Sequence, residues 1–145
     1  REFYNENRLA RGDMTIAGTK LNLGAIKLPI LEVATREDHI APAASVYRGS
    51  KMFGGPVEFV LAGSGHIAGV VNPPDKVKYQ YWTDGGEDAA DLGDWIKSAK
   101  EHPGSWWPYW IKWLNTRSGG KIPAREPGAT LGVIEDAPGS YVKGR

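Results

Sequence analysis

The stretches Leu28-Pro-Ile-Leu-Glu-Val-Ala34 and Val57-Glu-Phe-Val-Leu-Ala62 decide the fold of this chain. Each is a short, mainly apolar run, which is typical of a strand buried on both faces of a parallel sheet. Between them, residues 42–53 read as a crossover helix that stops at Gly54-Gly55. We therefore predict a strand–helix–strand unit within an α/β fold.

A polar residue of catalytic type follows each predicted strand. Asp38 follows the first strand, and His66 follows the second within Gly63-Ser-Gly-His-Ile-Ala-Gly69. Because the carboxyl ends of neighbouring parallel strands lie at one edge of the sheet, where ligands bind, these two side chains are expected to be close together. An aspartate can orient a histidine that takes a proton, and this chain order matches the last two members of a nucleophile–acid–histidine triad. We predict catalytic roles for Asp38 and His66.

The same residues also have ordinary structural explanations. Asp38 would serve well as the N-cap of the following helix, and Gly-flanked histidines such as His66 are common in turns. Glu37 competes for the role of acid, but adjacent side chains on a strand point to opposite sides. Ser64 is rejected as a nucleophile, since the Gly-x-Ser-x-Gly elbow is absent and His66 is only two residues away. His39 is a candidate for supporting Asp38 from outside the pair, or a surface residue.

The rest of the chain predicts smaller elements. Apolar alternation around a Gly-Thr turn indicates a hairpin, and two later segments have helical periodicity. The second of these helices has Ser105 as its predicted N-cap and Pro108 in its first turn. The predicted elements are the end of a helix at 1–9, a hairpin over 14–23, helices over 89–101 and 105–114, and a short edge strand at 131–134 in an irregular tail.

A tryptophan cluster lies on the second predicted helix. Trp107, Trp110 and Trp113 are three residues apart, so they share one face. They either pack as core or form an exposed apolar surface for a partner, a polymer or a lipid-like surface. The core interpretation is favoured, since buried aromatic residues dominate core energetics. Trp107 and Trp110 are the candidate residues of such a hydrophobic surface.

Composition limits the classes of function. The formal net charge is +1 and the Lys and Arg residues are dispersed, which argues against nucleic-acid binding. The sequence has no apolar run of membrane-spanning length and no cysteine, so it offers no disulfide framework or thiolate metal site. Three scattered histidines are too few for a metal centre. At 145 residues the chain fits a single domain, with a sheet part at 1–82 and a Trp-rich helical part and tail at 83–145.

Four motifs carry a resemblance to a known family. They are Arg36-Glu-Asp-His-Ile-Ala-Pro42, Ser64-Gly-His-Ile-Ala-Gly-Val-Val-Asn-Pro-Pro74, Gly104-Ser-Trp-Trp-Pro-Tyr-Trp110 and Ala137-Pro-Gly-Ser-Tyr-Val-Lys143. In order and spacing they resemble the C-terminal part of class I poly(3-hydroxyalkanoate) synthases, which belong to the α/β-hydrolase superfamily. The resemblance implies the C-terminal portion of an α/β-hydrolase-like parallel sheet, followed by Trp-rich helices and an irregular tail.

The resemblance also implies an acyltransferase. Family members join (R)-3-hydroxyacyl units from their coenzyme A thioesters into a polyester, using a cysteine that carries the growing chain. The residue matching His66 is the base for that cysteine, and the residue matching Asp38 either assists the histidine or activates the substrate 3-hydroxyl. No cofactor is implied, because coenzyme A is the leaving group of the substrate. Since this chain has no cysteine, the parent protein is expected to be the enzyme and the chain alone to be inactive.

The implied partners are the acyl-coenzyme A, the growing polyester, the rest of the synthase and a homodimer of the parent protein. The implied location is the cytoplasm, on polyhydroxyalkanoate granules. Ala43 stands where the family usually has tryptophan, and Tyr109 stands where an acidic residue is common. Two alternatives remain open: a non-catalytic module that binds granules or another subunit through Trp107 and Trp110, and an ester hydrolase of the same fold.

Overall fold

A four-stranded sheet with helices on both faces organises this protein. The structure is a computed structural model and describes residues 1–144. Two short strands form a separate antiparallel hairpin ahead of the sheet, as predicted. In chain order the elements are β1 (Thr15–Ile16), β2 (Thr19–Lys20), a 3-10 turn (Leu23–Ala25), β3 (Ile30–Thr35), α1 (Ala43–Ser50), β4 (Val57–Ala62), β5 (Gln80–Thr83), α2 (Leu92–Ser98), β6 (Lys100–Pro103), α3 (Trp107–Asn115) and a second 3-10 turn (Tyr141–Lys143).

The predicted strand–helix–strand unit is present as β3, α1 and β4. The two strands pair in parallel from Ile30 opposite Val57 to Thr35 opposite Ala62. Strand β3 begins after Pro29, which has no N–H to donate to a sheet. The crossover then closes tightly, since a Cβ on Gly55 would lie 2.7 Å from the Leu28 carbonyl oxygen. Glycine at the end of the crossover is therefore required by the close approach of the backbones.

Strand β4 is buried on both faces, as its apolar run predicts. On one face, Phe59 packs edge-to-face against Tyr47 of α1 and Trp95 of α2, with ring centroids 5.0 and 5.2 Å apart. On the other face, Val60 packs in a second cluster with Trp106, beside α3. Because successive side chains alternate between faces, one strand anchors both layers of helices.

The sheet is mixed, which corrects the expectation of a parallel sheet. The strand order is β3-β4-β5-β6, and only β3 and β4 are parallel; β5 pairs antiparallel with β4, and β6 with β5. The prediction of a helix over 89–101 is wrong at its end, because α2 stops at Ser98 and residues 100–103 form β6. Cross-strand pairing with β5 overrides the helical periodicity here. Strand β6 also lies in the part of the chain that was assigned to helices and tail.

Two predictions near the chain termini are also wrong. Residues 1–9 form a series of turns, and Tyr4 is 95% exposed, so this side chain does not anchor a helix there. Residues 131–134 form no strand within the described chain, and Leu131 and Ile134 are almost fully exposed, because no neighbouring strand pairs with them. Among residues 1–144, no helix combines the length and the apolarity needed to cross a lipid bilayer.

Candidate catalytic site

The ends of β3 and β4 bring the two predicted catalytic residues to one edge of the sheet. Hydrogen bonding between the strands continues beyond their last residues, from Arg36 N–H to the Ala62 carbonyl at 2.8 Å and from Glu37 N–H to the Ser64 carbonyl at 3.0 Å. The loops that carry Asp38 and His66 therefore leave the sheet side by side.

Asp38 and His66 form a direct side-chain contact. His66 Nδ1 lies 2.7 Å from Asp38 Oδ2, so the predicted meeting of the two side chains is present in the structure. The Asp38 side chain is only 8% exposed, whereas the His66 side chain is 44% exposed. The acid therefore lies beneath a histidine that solvent or a substrate can reach.

Backbone groups hold the other oxygen of Asp38. Its Oδ1 accepts hydrogen bonds from Ile40 N–H at 2.8 Å and Ala41 N–H at 2.9 Å, and the Thr35 hydroxyl donates to Oδ2 at 3.3 Å. The Ala41 N–H, together with His66 and the Ile40 N–H, holds the pKa of this carboxyl well below its ordinary value, and partial desolvation opposes the shift only in part. Asp38 is therefore an ionised acceptor at neutral pH.

This contact determines the tautomer of His66. Because Asp38 is ionised and can only accept, the proton of a neutral imidazole resides on Nδ1. The other nitrogen, Nε2, has no hydrogen-bond partner among residues 1–144. An imidazole in this state can take a proton at Nε2 from a thiol or a hydroxyl, and the carboxylate then stabilises the imidazolium.

The segment of residues 63–71, here called the His66 loop, depends on glycine at position 69 in particular. A Cβ on Gly69 would lie 2.5 Å from the Gly63 carbonyl oxygen and 2.6 Å from Thr35 Cγ2. The loop therefore folds back onto Thr35, the last residue of β3.

The other sequence candidates are placed differently. His39 is exposed, and within the described residues its side chain forms no hydrogen bond with Asp38 or His66. Sequence reasoning missed the groups that do support Asp38, namely Thr35 and the N–H groups of Ile40 and Ala41. An aspartate that accepts from N–H groups two and three residues later is a common turn, so that part of the site was accessible from sequence.

The two candidate surface tryptophans have different environments. Trp107 is half-buried, and its indole N–H donates to the Val70 carbonyl of the His66 loop at 2.9 Å. Trp110 is 39% exposed and packs against Trp106, with 5.6 Å between the ring centroids. Trp107 is thus attached to the candidate site, and Trp110 contributes to an apolar surface.

Metal ligation has no obvious location in this site. No group of three or more histidine and acidic side chains within residues 1–144 is arranged to hold a metal ion. Among the described residues, the titratable groups of this site are an aspartate and a histidine in direct contact.

Comparison with known proteins finds relatives that match the chain over its whole length. No protein-family model matches the chain. It is 56% identical over 145 residues to the poly(3-hydroxyalkanoate) polymerase subunit PhaC of Rhizobium meliloti, 52% identical over 145 residues to the poly(3-hydroxyalkanoate) polymerase of Methylorubrum extorquens, and 40% identical over 148 residues to the PhaC subunit of Cupriavidus necator. These matches cover 99% or 100% of this chain but only 24% or 25% of each relative, so the chain spans about a quarter of the length of the curated relatives it matches. Over its whole length the chain is thus similar to poly(3-hydroxyalkanoate) polymerases, the family that the four motifs resemble.

Proposed function

We propose that this chain is the C-terminal part of a polymerase that joins (R)-3-hydroxyacyl units from coenzyme A thioesters into a polyester. In this proposal Asp38 is the acid and His66 is the base. The 2.7 Å contact between them at the edge of the sheet is the observation that carries it. Similarity to poly(3-hydroxyalkanoate) polymerases supports this reaction over ester hydrolysis by the same fold.

His66 acts twice in the proposed cycle. Its Nε2 first takes the proton of a cysteine thiol supplied by the remainder of the polymerase, and the thiolate attacks the thioester carbonyl. The carbon–sulfur bond to coenzyme A breaks, and the departing thiolate receives the proton from the imidazolium. In chain extension, His66 takes the proton of a 3-hydroxyl group as its oxygen attacks the acyl thioester on the cysteine. The carbon–sulfur bond to the cysteine breaks, and the cysteine thiolate receives the proton from the imidazolium. Asp38 stabilises the imidazolium in both steps.

The contacts of Asp38 favour assistance to His66 over direct activation of the 3-hydroxyl. Its Oδ1 is occupied by two backbone N–H groups and its Oδ2 by His66 and Thr35. The lowered pKa of the Asp38 carboxyl also makes it a weak base. A substrate hydroxyl would have to displace an existing hydrogen bond and give its proton to an unusually poor acceptor.

The chain alone is proposed to be inactive, since it contains no cysteine to form the acyl-enzyme. Its proposed partners are the acyl-coenzyme A, the growing polyester, the rest of the polymerase and a second copy of the parent protein. The proposed location is the cytoplasm, at polyester granules. Coenzyme A enters only as the leaving group of the substrate, and no further cofactor is proposed.

The test uses a complete polymerase that contains this chain. Release of coenzyme A from (R)-3-hydroxybutyryl-coenzyme A is followed with a thiol reagent, and polymer is measured in parallel. His66→Ala is expected to lower the rate by about 10³-fold or more, because the base of a catalytic triad is lost. His39→Ala is the matched control at a nearby exposed histidine, and we expect its rate to stay within about twofold of wild type. A His66→Ala enzyme as fast as wild type would contradict the proposal, as would polymerisation by the 145-residue chain alone.

A second candidate function is binding to hydrophobic polyester through α3. The observation in its favour is that Trp110 is 39% exposed and the adjacent Ile111 is 49% exposed. This function predicts that the chain binds polyester particles and that Trp110→Ala reduces binding, whereas His66→Ala does not. Equal binding by the Trp110→Ala and wild-type chains would contradict it.

A further inference from the structure

We propose that Trp107 is a positioning residue for His66. Its indole N–H, through the Val70 carbonyl, holds the His66 loop in the orientation that brings Nδ1 to Asp38. The kinetic consequence rests on the proposed function of Asp38 and His66, whereas the effect on the loop itself does not.

The first end of the His66 loop is part of the sheet. Gly63 N–H donates to the Gln80 carbonyl of β5 at 2.7 Å, and the Ser64 carbonyl accepts from Glu37 N–H at 3.0 Å. This end cannot move without breaking hydrogen bonds between strands.

The middle of the loop is one compact turn. Gly69 N–H donates to the Gly65 carbonyl at 2.9 Å, and Val71 N–H donates to the Ile67 carbonyl at 2.8 Å. His66 lies within this turn. Val70 N–H donates to the Ile67 carbonyl at 3.1 Å, so a displacement of Val70 is transmitted through Ile67 to the neighbouring His66.

The far end of the loop is held by two indole groups. The Val70 carbonyl accepts from Trp107 Nε1 at 2.9 Å and from Trp106 Nε1 at 3.2 Å. Trp106 is only 8% exposed and belongs to the core cluster beside β4, so packing already determines its position. Trp107 is half-buried and makes the shorter bond. An indole nitrogen can only donate, so Val70 is the one polar link that the Trp107 side chain makes within residues 1–144.

The backbone of Trp107 is fixed in turn by the start of α3. Its N–H donates to Ser105 Oγ at 3.1 Å, although Ser105 lies one residue before the observed N-cap, Trp106. Just before it, Gly104 has a φ of +83° and donates its N–H to the Tyr79 carbonyl at 2.9 Å. Trp107 thus links the β6–α3 connection to the His66 loop.

His66 depends on this link because little else orients it. Asp38 is held by three groups besides His66, but within residues 1–144 the imidazole itself makes a single hydrogen bond and is 44% exposed. The direction of Nε2 therefore follows from the loop. A small misplacement of a reacting group can cost a large factor in rate.

The experiment compares Trp107→Phe with Trp113→Phe in the complete polymerase. Both changes replace an indole with a phenyl ring on α3, but Trp113 Nε1 has no hydrogen-bond partner in the described chain. We expect Trp107→Phe to increase amide hydrogen exchange in residues 65–71 about fivefold, the factor for one hydrogen bond of ordinary strength. We expect kcat to fall about tenfold, with KM within about twofold of wild type. Trp113→Phe should leave the exchange in residues 65–71 and both kinetic constants unchanged.

A second variant separates the hydrogen bond from packing. Incorporation of 3-benzothienylalanine at position 107 keeps the size of the bicyclic ring and replaces only the N–H by sulfur. This isostere should reproduce the faster exchange and the lower kcat. Wild-type exchange and kcat in the isostere would overturn the proposal, since the ring and not its N–H would then matter. The isostere also replaces Trp107→Phe if that variant fails to fold.

The two readouts distinguish failure of the positioning role from failure of the proposed function. If His66→Ala is inactive but Trp107→Phe matches Trp113→Phe in exchange and in kcat, the positioning role is wrong and the proposed function stands. If His66→Ala is fully active, the proposed function is wrong, and exchange in residues 65–71 alone decides whether Trp107 holds the loop.

Discussion

The surroundings of Asp38 stabilise its ionised form. Both carboxylate oxygens accept hydrogen bonds, from two backbone N–H groups, one hydroxyl and one imidazole. The bonds from the Ala41 N–H, His66 and the Ile40 N–H favour the ionised form and so lower the pKa of the Asp38 carboxyl. Asp38 therefore stays negatively charged over the whole pH range in which a histidine ordinarily changes its charge. Asp38 thus places a negative charge next to the His66 imidazole at neutral pH.

The lowered pKa of Asp38 predicts a pH-dependent contribution to stability. In the unfolded chain the carboxyl titrates near 3.8, and in the folded chain it titrates lower. Asp38 therefore stabilises the fold at pH values above about 4, and this contribution is lost as the pH falls through the folded-state pKa. We expect the free energy of urea unfolding to be larger for wild type than for Asp38→Asn at pH 7, and the difference to shrink below about pH 4. A difference that stays constant from pH 7 to pH 3 would contradict the proposed ionisation.

The site residues differ in how far sequence predicts them. Asp38 and His66 are recognisable because each closely follows a buried apolar strand, and parallel pairing places them together. His39 is predicted either to support Asp38 or to be a surface residue, and its side chain is exposed in the structure. The contact of Trp107 with Val70 spans 37 residues and follows no local pattern. Only the packing of α3 against the sheet brings these two groups into contact.

At the scale of elements, the His66 loop depends on Gly69. A methyl group at this position would overlap the Gly63 carbonyl and the Thr35 side chain, as the short Cβ distances show. We expect Gly69→Ala to lower the free energy of unfolding by about 1–3 kcal/mol, the range for overpacking a close contact. In the polymerase, the same change should reduce kcat by displacing His66.

Gly65→Ala is the matched control in the same loop. A Cβ on Gly65 has its nearest neighbour at 3.8 Å, the Glu37 carbonyl oxygen, which is an ordinary contact distance. We expect its unfolding free energy to remain within about 1 kcal/mol of wild type, as for an accommodated glycine-to-alanine change. Equal losses in Gly65→Ala and Gly69→Ala, measured by urea unfolding, would show that the close contact is not the cause.

Besides its contact with the His66 loop, helix α3 makes a polar contact with β4. Tyr109 donates its hydroxyl to Glu58 Oε2 at 2.7 Å, and Arg117 contacts the other oxygen of Glu58 at 3.2 Å. Partial burial, followed by the hydrogen bond to Glu58, raises the pKa of Tyr109 well above its ordinary value. Tyr109, the position where the family resemblance leads one to expect an acid, is therefore a neutral donor to Glu58.

Substitution of Tyr109 tests this attachment. We expect Tyr109→Phe to cost about 1 kcal/mol of unfolding free energy, as for one partly exposed hydrogen bond. Tyr109→Asp should cost more at pH 7 than at pH 4, because the new carboxylate repels Glu58 only when both are ionised. Urea unfolding at the two pH values measures this dependence. A Tyr109→Asp variant as stable as Tyr109→Phe at pH 7 would contradict it.

The sequence does not predict β5 and β6, because these strands are stabilised by contacts with neighbouring strands. Strand β4 is recognisable because its apolar run is buried on both faces. By contrast, β6 reads Lys-Glu-His-Pro, and its contacts arise across the sheet: Glu101 accepts from the Trp82 indole at 3.0 Å, and His102 stacks on Tyr81 at 4.8 Å. Local periodicity does not predict such pairs, because the preference of a segment for a strand depends largely on its packing against the neighbouring strand.

At the scale of the whole molecule, the sheet positions Asp38, His66 and the helix that contacts the His66 loop. The parallel pair β3–β4 presents the acid and the histidine at one end, and the antiparallel strands β5 and β6 carry α3, which reaches back to the His66 loop. In the proposed reaction, the chain supplies the base, the acid that orients it and the groups that support both. The thiol that the proposed reaction requires has no source in these 145 residues.

The central claim is that Asp38 and His66 act as one unit, and a double-mutant cycle tests it most directly. The rate of coenzyme A release is measured for the complete polymerase with Asp38→Asn, with His66→Gln and with both changes. Because Asp38 acts only through His66, we predict that the double variant is no slower than His66→Gln alone, although Asp38→Asn by itself lowers the rate about 10²-fold or more. If the two losses multiply in the double variant, the residues act independently and the account is wrong.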